Sequence, residues 1–146
     1  MQDLHGYYLE DLEEGMSASY AKTISEADVY MFAGISGDNN PIHINAEYAK
    51  TTPFEQRIVH GMFSAALIST VAGTRLPGPG AIYVDQQIKF KAPVFIGDTA
   101  QATVTVTEIN ERRRRVICRT DVTVGEKVVA TGEATFMVDR RPEAAE

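Results

Sequence analysis

The chain has 146 residues and a net charge of −6, enough length for one domain over 1–146 that buries about two-thirds of its unfolded surface without a metal or disulfide. The acidic balance argues against a general nucleic-acid binder, which needs a broad basic surface to displace counterions from phosphates. A single cysteine, Cys118 between Ile117 and Arg119, rules out an intrachain disulfide and points to a reducing compartment, with Cys118 itself a small buried residue in a strand.

Residues 1–6 carry neither the basic nor the apolar region of a signal peptide, so the mature chain is expected to start near residue 1. Residues 16–24 suit a first strand. Ser25, followed by Glu26, Ala27 and Asp28, reads as a helix N-cap with an acid three residues on, and Val29, Phe32 and Ala33 continue one apolar face. That helix should end at 34–37, which leaves Asp38 in the loop after its C-terminus. Residues 46–50 suit a short turn of helix before Pro53.

The run 61–76 is apolar on nearly every side, with Met62, Phe63, Leu67, Ile68 and Val71 among its members. A helix of that kind is expected to be buried. Its uninterrupted apolar part, 62–73, contains Ser64, Ser69 and Thr70 and falls short of the ~20 residues a membrane span needs. The expectation is a soluble, cytoplasmic protein with no membrane association. Residues 81–91, 99–110, 115–124 and 127–138 alternate with a period of two and read as strands joined by short connections, hence antiparallel neighbours. Together these elements predict an α+β layer arrangement, one antiparallel sheet with a buried helix against it. The basic run Arg112-Arg113-Arg114-Arg115 falls at a hairpin beside Glu108 and Glu111. It reads either as a solvated turn with acidic neighbours or as a contact for an anionic group such as a nucleotide phosphate.

The segment Gly37-Asp38-Asn39-Asn40-Pro41-Ile42-His43 carries the functional signal. It places a carboxylate and an imidazole five residues apart across an Asn-Pro turn. Such a pair can hold a water and move its protons near neutral pH. Taken alone, Asp38 and Asn40 are ordinary turn residues, and Pro41 fixes the turn's shape. His60 adds a second imidazole, so that Asp38, His43 and His60 form a conceivable two-His, one-carboxylate set. The sequence lacks a compact ligand motif, and the expectation is no metal and no cofactor, with His60 structural at the start of a helix.

Gly37-Asp38-Asn39-Asn40-Pro41-Ile42-His43, then Ile58-Val59-His60-Gly61-Met62, then Phe90-Lys91-Ala92-Pro93-Val94 and Gly97-Asp98 resemble, in that order, the MaoC-like hydratases, and more narrowly the single-domain (R)-specific enoyl-CoA hydratases. The resemblance runs from about residue 14 to 138. It implies a hot-dog fold, a curved antiparallel sheet wrapped around a long central helix, paired as a homodimer. It implies an acyl-CoA thioester substrate, with Asp38 and His43 holding the water that attacks the enoyl double bond. By the same resemblance the Gly61 N–H contacts the thioester oxygen and the Ser69 hydroxyl supports the catalytic carboxylate. Met62, with Phe63, Leu67 and Val138, is expected at the acyl chain, and short acyl groups are the expectation. Two other functions suit the fold: a thioesterase, in which the water attacks the carbonyl carbon, and a non-catalytic acyl-thioester binding protein.

Overall fold

A computed structural model describes residues 4–143. After a 3-10 turn at Leu9–Asp11, the elements are β1 (Ser17–Thr23), α1 (Glu26–Ser36), α2 (Pro41–Ile44), α3 (Ala46–Ala49), α4 (Gly61–Thr74), β2 (Ile82–Phe90), β3 (Thr99–Asn110), β4 (Arg115–Val124) and β5 (Lys127–Met137). The strands form one antiparallel sheet in the order β1-β3-β4-β5-β2. Register shifts in β2–β5, β3–β4 and β4–β5 insert bulges, and bulges bend strands and raise their twist, which lets the sheet curve. The helix α4 lies across β3, flanked by β1 and β4. This is the α+β arrangement expected, with every predicted strand present to within one residue at its ends.

Local chemistry explains the elements. Ser25 accepts from the Asp28 N–H and the Asp28 carboxylate accepts from the Ser25 N–H, so both orphan donors at the start of α1 are satisfied. On the sheet, Ala100, Ala102, Val104 and Val106 of β3 and Val116, Cys118, Thr120 and Val122 of β4 turn inward. They meet Phe63, Leu67, Ile68 and Val71 of α4. Cys118 is fully buried and its thiol is pushed up to about 12 by desolvation, so it serves as packing and not as a nucleophile.

Two expectations need correction. The central helix stops at Thr74 with Arg75 as C-cap, and is not buried all round: Met62, Ala66, Ser69 and Gly73 lie on an exposed face, with Met62 59% exposed. One five-stranded sheet covers only one side of a helix. The Asn-Pro segment, expected as a turn, closes into the short helix α2, because Pro41 sits at its first turn and the Asn40 side chain accepts from the Ile42 N–H.

Candidate active site

The site is built where α1 ends and α4 begins. Gly37 takes a left-handed conformation, φ 78°, and its N–H closes α1 on the Ala33 carbonyl; this is the cap geometry that glycine adopts without a side-chain penalty. Ser36 Oγ then accepts the Asp38 N–H, and Asp38 Oδ1 accepts the Asn40 N–H at 3.2 Å. One carboxylate oxygen is thereby fixed to the backbone. The other, Oδ2, points at His43.

His43 is carried by α2 and is buried. Its Nδ1 lies 2.8 Å from the Ile58 carbonyl. A carbonyl can only accept, so Nδ1 bears the proton and, in the neutral ring, Nε2 is a bare acceptor. Nε2 lies 3.9 Å from Asp38 Oδ2, too long for a direct hydrogen bond and suited to a water about 2.8 Å from each atom. Burial lowers the His43 pKa below the ordinary histidine value of 6.5, and the neighbouring imidazole of His60 pushes the same way, while the Ile58 carbonyl and Asp38 oppose it. Desolvation prevails, which keeps the ring neutral.

Arg57 locks this arrangement from behind. Its Nε donates to the His43 carbonyl at 2.6 Å, and its Nη1 pairs with Glu26 of α1. The guanidinium also lies over the Tyr30 ring at 5.0 Å. Neither Arg57 nor Glu26 carried a sequence signal, because the three residues involved are separated by 14 and 31 positions.

His60 precedes α4 as its N-cap residue, with Gly61 the first residue of the helix. As the first helical residue, Gly61 has an amide with no intrahelical acceptor, and it lies at the end of the helix that carries partial positive charge. Gly61 opens onto a cavity of about 300 Å³ whose lining includes Ile58, His60, Ser64, Phe90 and Val129. A Cβ on Gly61 would sit 3.1 Å from the Phe90 ring, so glycine here keeps room at the amide. Of the other candidates, Met62 and Ser69 fall on the exposed face of α4 and Leu67 and Val138 are buried in the core, all four outside this cavity. The Asp38 carboxylate takes its hydrogen bond from Asn40 and not from Ser69. Sequence reasoning passed over Ser64, which is buried at the cavity wall one turn after Gly61. Asp38, His43 and His60 bring three ligand-type atoms within 4.8 Å of one another. Yet the two imidazoles stack face to face, with centroids 3.9 Å apart and planes 28° from parallel.

Comparison with known proteins fits this geometry. Residues 9–130 match the MaoC like domain. The chain is 62% identical over 139 residues to an (R)-specific enoyl-CoA hydratase of Rhodospirillum rubrum, covering 95% of this chain and 96% of that protein. It is 47% identical to a 3-hydroxybutyryl-CoA dehydratase of Methylorubrum extorquens, covering 99% and 92%. Among solved structures, the unliganded R-hydratase PhaJ1 of Pseudomonas aeruginosa superposes with a TM-score of 0.87 at 43% identity, covering 95% and 92%. An (R)-hydratase of Aeromonas caviae involved in PHA biosynthesis gives 0.85 at 41%, covering 88% and 98%. With that agreement of sequence, hot-dog fold and site geometry, the chain belongs to the MaoC-like domain family.

Proposed function

We propose that the chain catalyses reversible (R)-specific hydration of trans-2-enoyl-CoA to (R)-3-hydroxyacyl-CoA, with short acyl groups as substrates. The observation that carries this is the 3.9 Å gap between Asp38 Oδ2 and His43 Nε2, set beside the free amide end of α4 at Gly61. Both atoms facing the gap are acceptors, so a water there donates one hydrogen to each and turns its lone pair outward. Asp38 takes a proton as the oxygen attacks C3, while His43 holds the second hydrogen. The thioester oxygen gains negative charge in that step and is met by the Gly61 N–H. The pair then returns the proton to C2 of the enolate, which completes the addition with water's two hydrogens and one oxygen accounted for. Positioned acid–base groups of this kind contribute ~10²–10⁴-fold.

The stacked imidazoles favour a water site over a metal site, and the hydration chemistry draws on no cofactor. A cytoplasmic location suits a lone free thiol such as Cys118. Asp38→Asn and His43→Ala are each expected to lower kcat for crotonyl-CoA hydration by ~10²–10⁴-fold, with the fold retained by circular dichroism. Near-normal turnover in either variant would remove the proposed mechanism.

A further inference from the structure

We propose that His60 is a positioning residue, whose ring ties the Asp38 loop, the His43 imidazole and the start of α4 into one unit. The inference rests on the hydratase reading above and assigns the residue a role in it. His60 is 2% exposed. Its Nε2 lies 3.0 Å from the Asp38 backbone carbonyl, so Nε2 carries a proton and donates it. Its face stacks on His43 at 3.9 Å, and Phe32 of α1 packs on it at 4.9 Å. Its own carbonyl accepts the Phe63 N–H in the first turn of α4. One side chain therefore touches both members of the water-holding pair, and its backbone adjoins the Gly61 amide.

The choice of residue is informative. An N-cap position favours Ser, Thr, Asp or Asn, whose side chains satisfy a helix amide, and His60 makes no such bond. Moreover, its Nδ1 is buried with no partner among the described residues, a feature that burial penalises. A phenyl ring would fill the same stack with no orphaned atom. What imidazole adds is the Nε2–H held on the Asp38 carbonyl. That bond helps set the distance from Asp38 to His43: among the described residues Asp38 is otherwise held by local bonds, its N–H on Ser36 Oγ and its carboxylate on the Asn40 N–H, and His60 is what ties it to α4. The stack has a second effect: two imidazoles in contact resist carrying two charges, so His60 helps keep His43 neutral. The other charged groups facing His43 are the Asp38 carboxylate and Arg57, which is bonded to the His43 carbonyl.

The test compares His60→Phe, which keeps the stack and loses the donor, with His60→Gln, which keeps a donor at similar reach and loses the ring. With crotonyl-CoA, His60→Phe is expected to lower kcat by about 100-fold, the scale of a 1 Å misplacement, with KM changed less than about threefold. His60→Gln should recover to within about tenfold of the parent. In both variants the acid limb of kcat/KM should move to higher pH, because the second imidazole no longer opposes charge on His43 and a phenyl face attracts it. Parent-like kcat in His60→Phe would overturn the proposal, and so would equal losses in the two variants with an unmoved acid limb. If His60→Phe fails to fold, the acid limb of His60→Gln decides alone, an unmoved limb counting against. Asp38→Asn separates the two levels: if it stays active the hydratase mechanism itself fails, whereas an inactive Asp38→Asn beside a normal His60→Phe sinks only the role of His60.

Discussion

Asp38 and His43 differ sharply in setting: the carboxylate side chain is about half exposed, at 52%, while the imidazole is at 9%. That asymmetry suits their roles, since the exposed carboxylate faces the incoming water and the buried imidazole is held neutral, with a bare nitrogen to hold the second hydrogen. The sign of the pH dependence follows. Hydration needs the bare Nε2 of neutral His43, and burial lowers its pKa below 6.5. Activity should therefore stay level as pH falls through 6.5 and decline only below it; a kcat/KM profile whose acid limb sits at or above 6.5 would contradict a buried neutral His43. The Asp38 and His43 pair was legible in the sequence because short-range turn chemistry places them, five residues apart, by bonds within 36–43. Arg57 and the Nε2 bond of His60 were not legible, since their partners lie 14 and 22 positions away and depend on how α1, α2 and α4 come together.

At the scale of elements, the strands could be read from alternation because one face of β3 and β4 meets the core and the other does not. The phase of α4 could not. Its residues are apolar nearly all round, so periodicity gives no preferred face, and only the sheet's position decides that Ser64 turns to the cavity wall while Ser69 turns outward. The start of α4 offers a clean test of the oxyanion contact. Proline is well tolerated at the first helical position, and His60 already has the extended backbone, ψ 133°, that a following proline requires. Gly61→Pro removes the N–H but adds a Cβ 3.1 Å from the Phe90 ring, so it is compared with Gly61→Ala, which carries the same Cβ and keeps the N–H; proline should lower kcat a further ~10²–10³-fold below alanine. Turnover in a folded Gly61→Pro enzyme equal to that of Gly61→Ala would show that this amide does not serve the thioester oxygen.

For the whole molecule, the sheet ends at β1 on one side and β2 on the other, and β2 is left with Ile82, Tyr83, Val84 and Phe90 exposed. An apolar edge strand of nine residues invites pairing with a second copy. The exposed face of α4, with Met62, Ala66 and Ser69, is a further surface for a partner to cover. We accordingly propose a homodimer joined along β2. Sedimentation velocity at micromolar concentration should give a dimer, and Val84→Lys on the edge should shift it toward monomer with reduced activity. A monomeric parent protein would refute the pairing.

The central claim is that water held between Asp38 and His43 is delivered to C3 of an enoyl thioester. It is tested most directly by turning over crotonyl-CoA in ¹⁸O-labelled water and locating the label by mass spectrometry. The account predicts ¹⁸O in the C3 hydroxyl of (R)-3-hydroxybutyryl-CoA, with the thioester intact and no free CoA thiol released. Label in the carboxylate of a free acid, with CoA thiol set free, would mean attack at the carbonyl carbon and would contradict it.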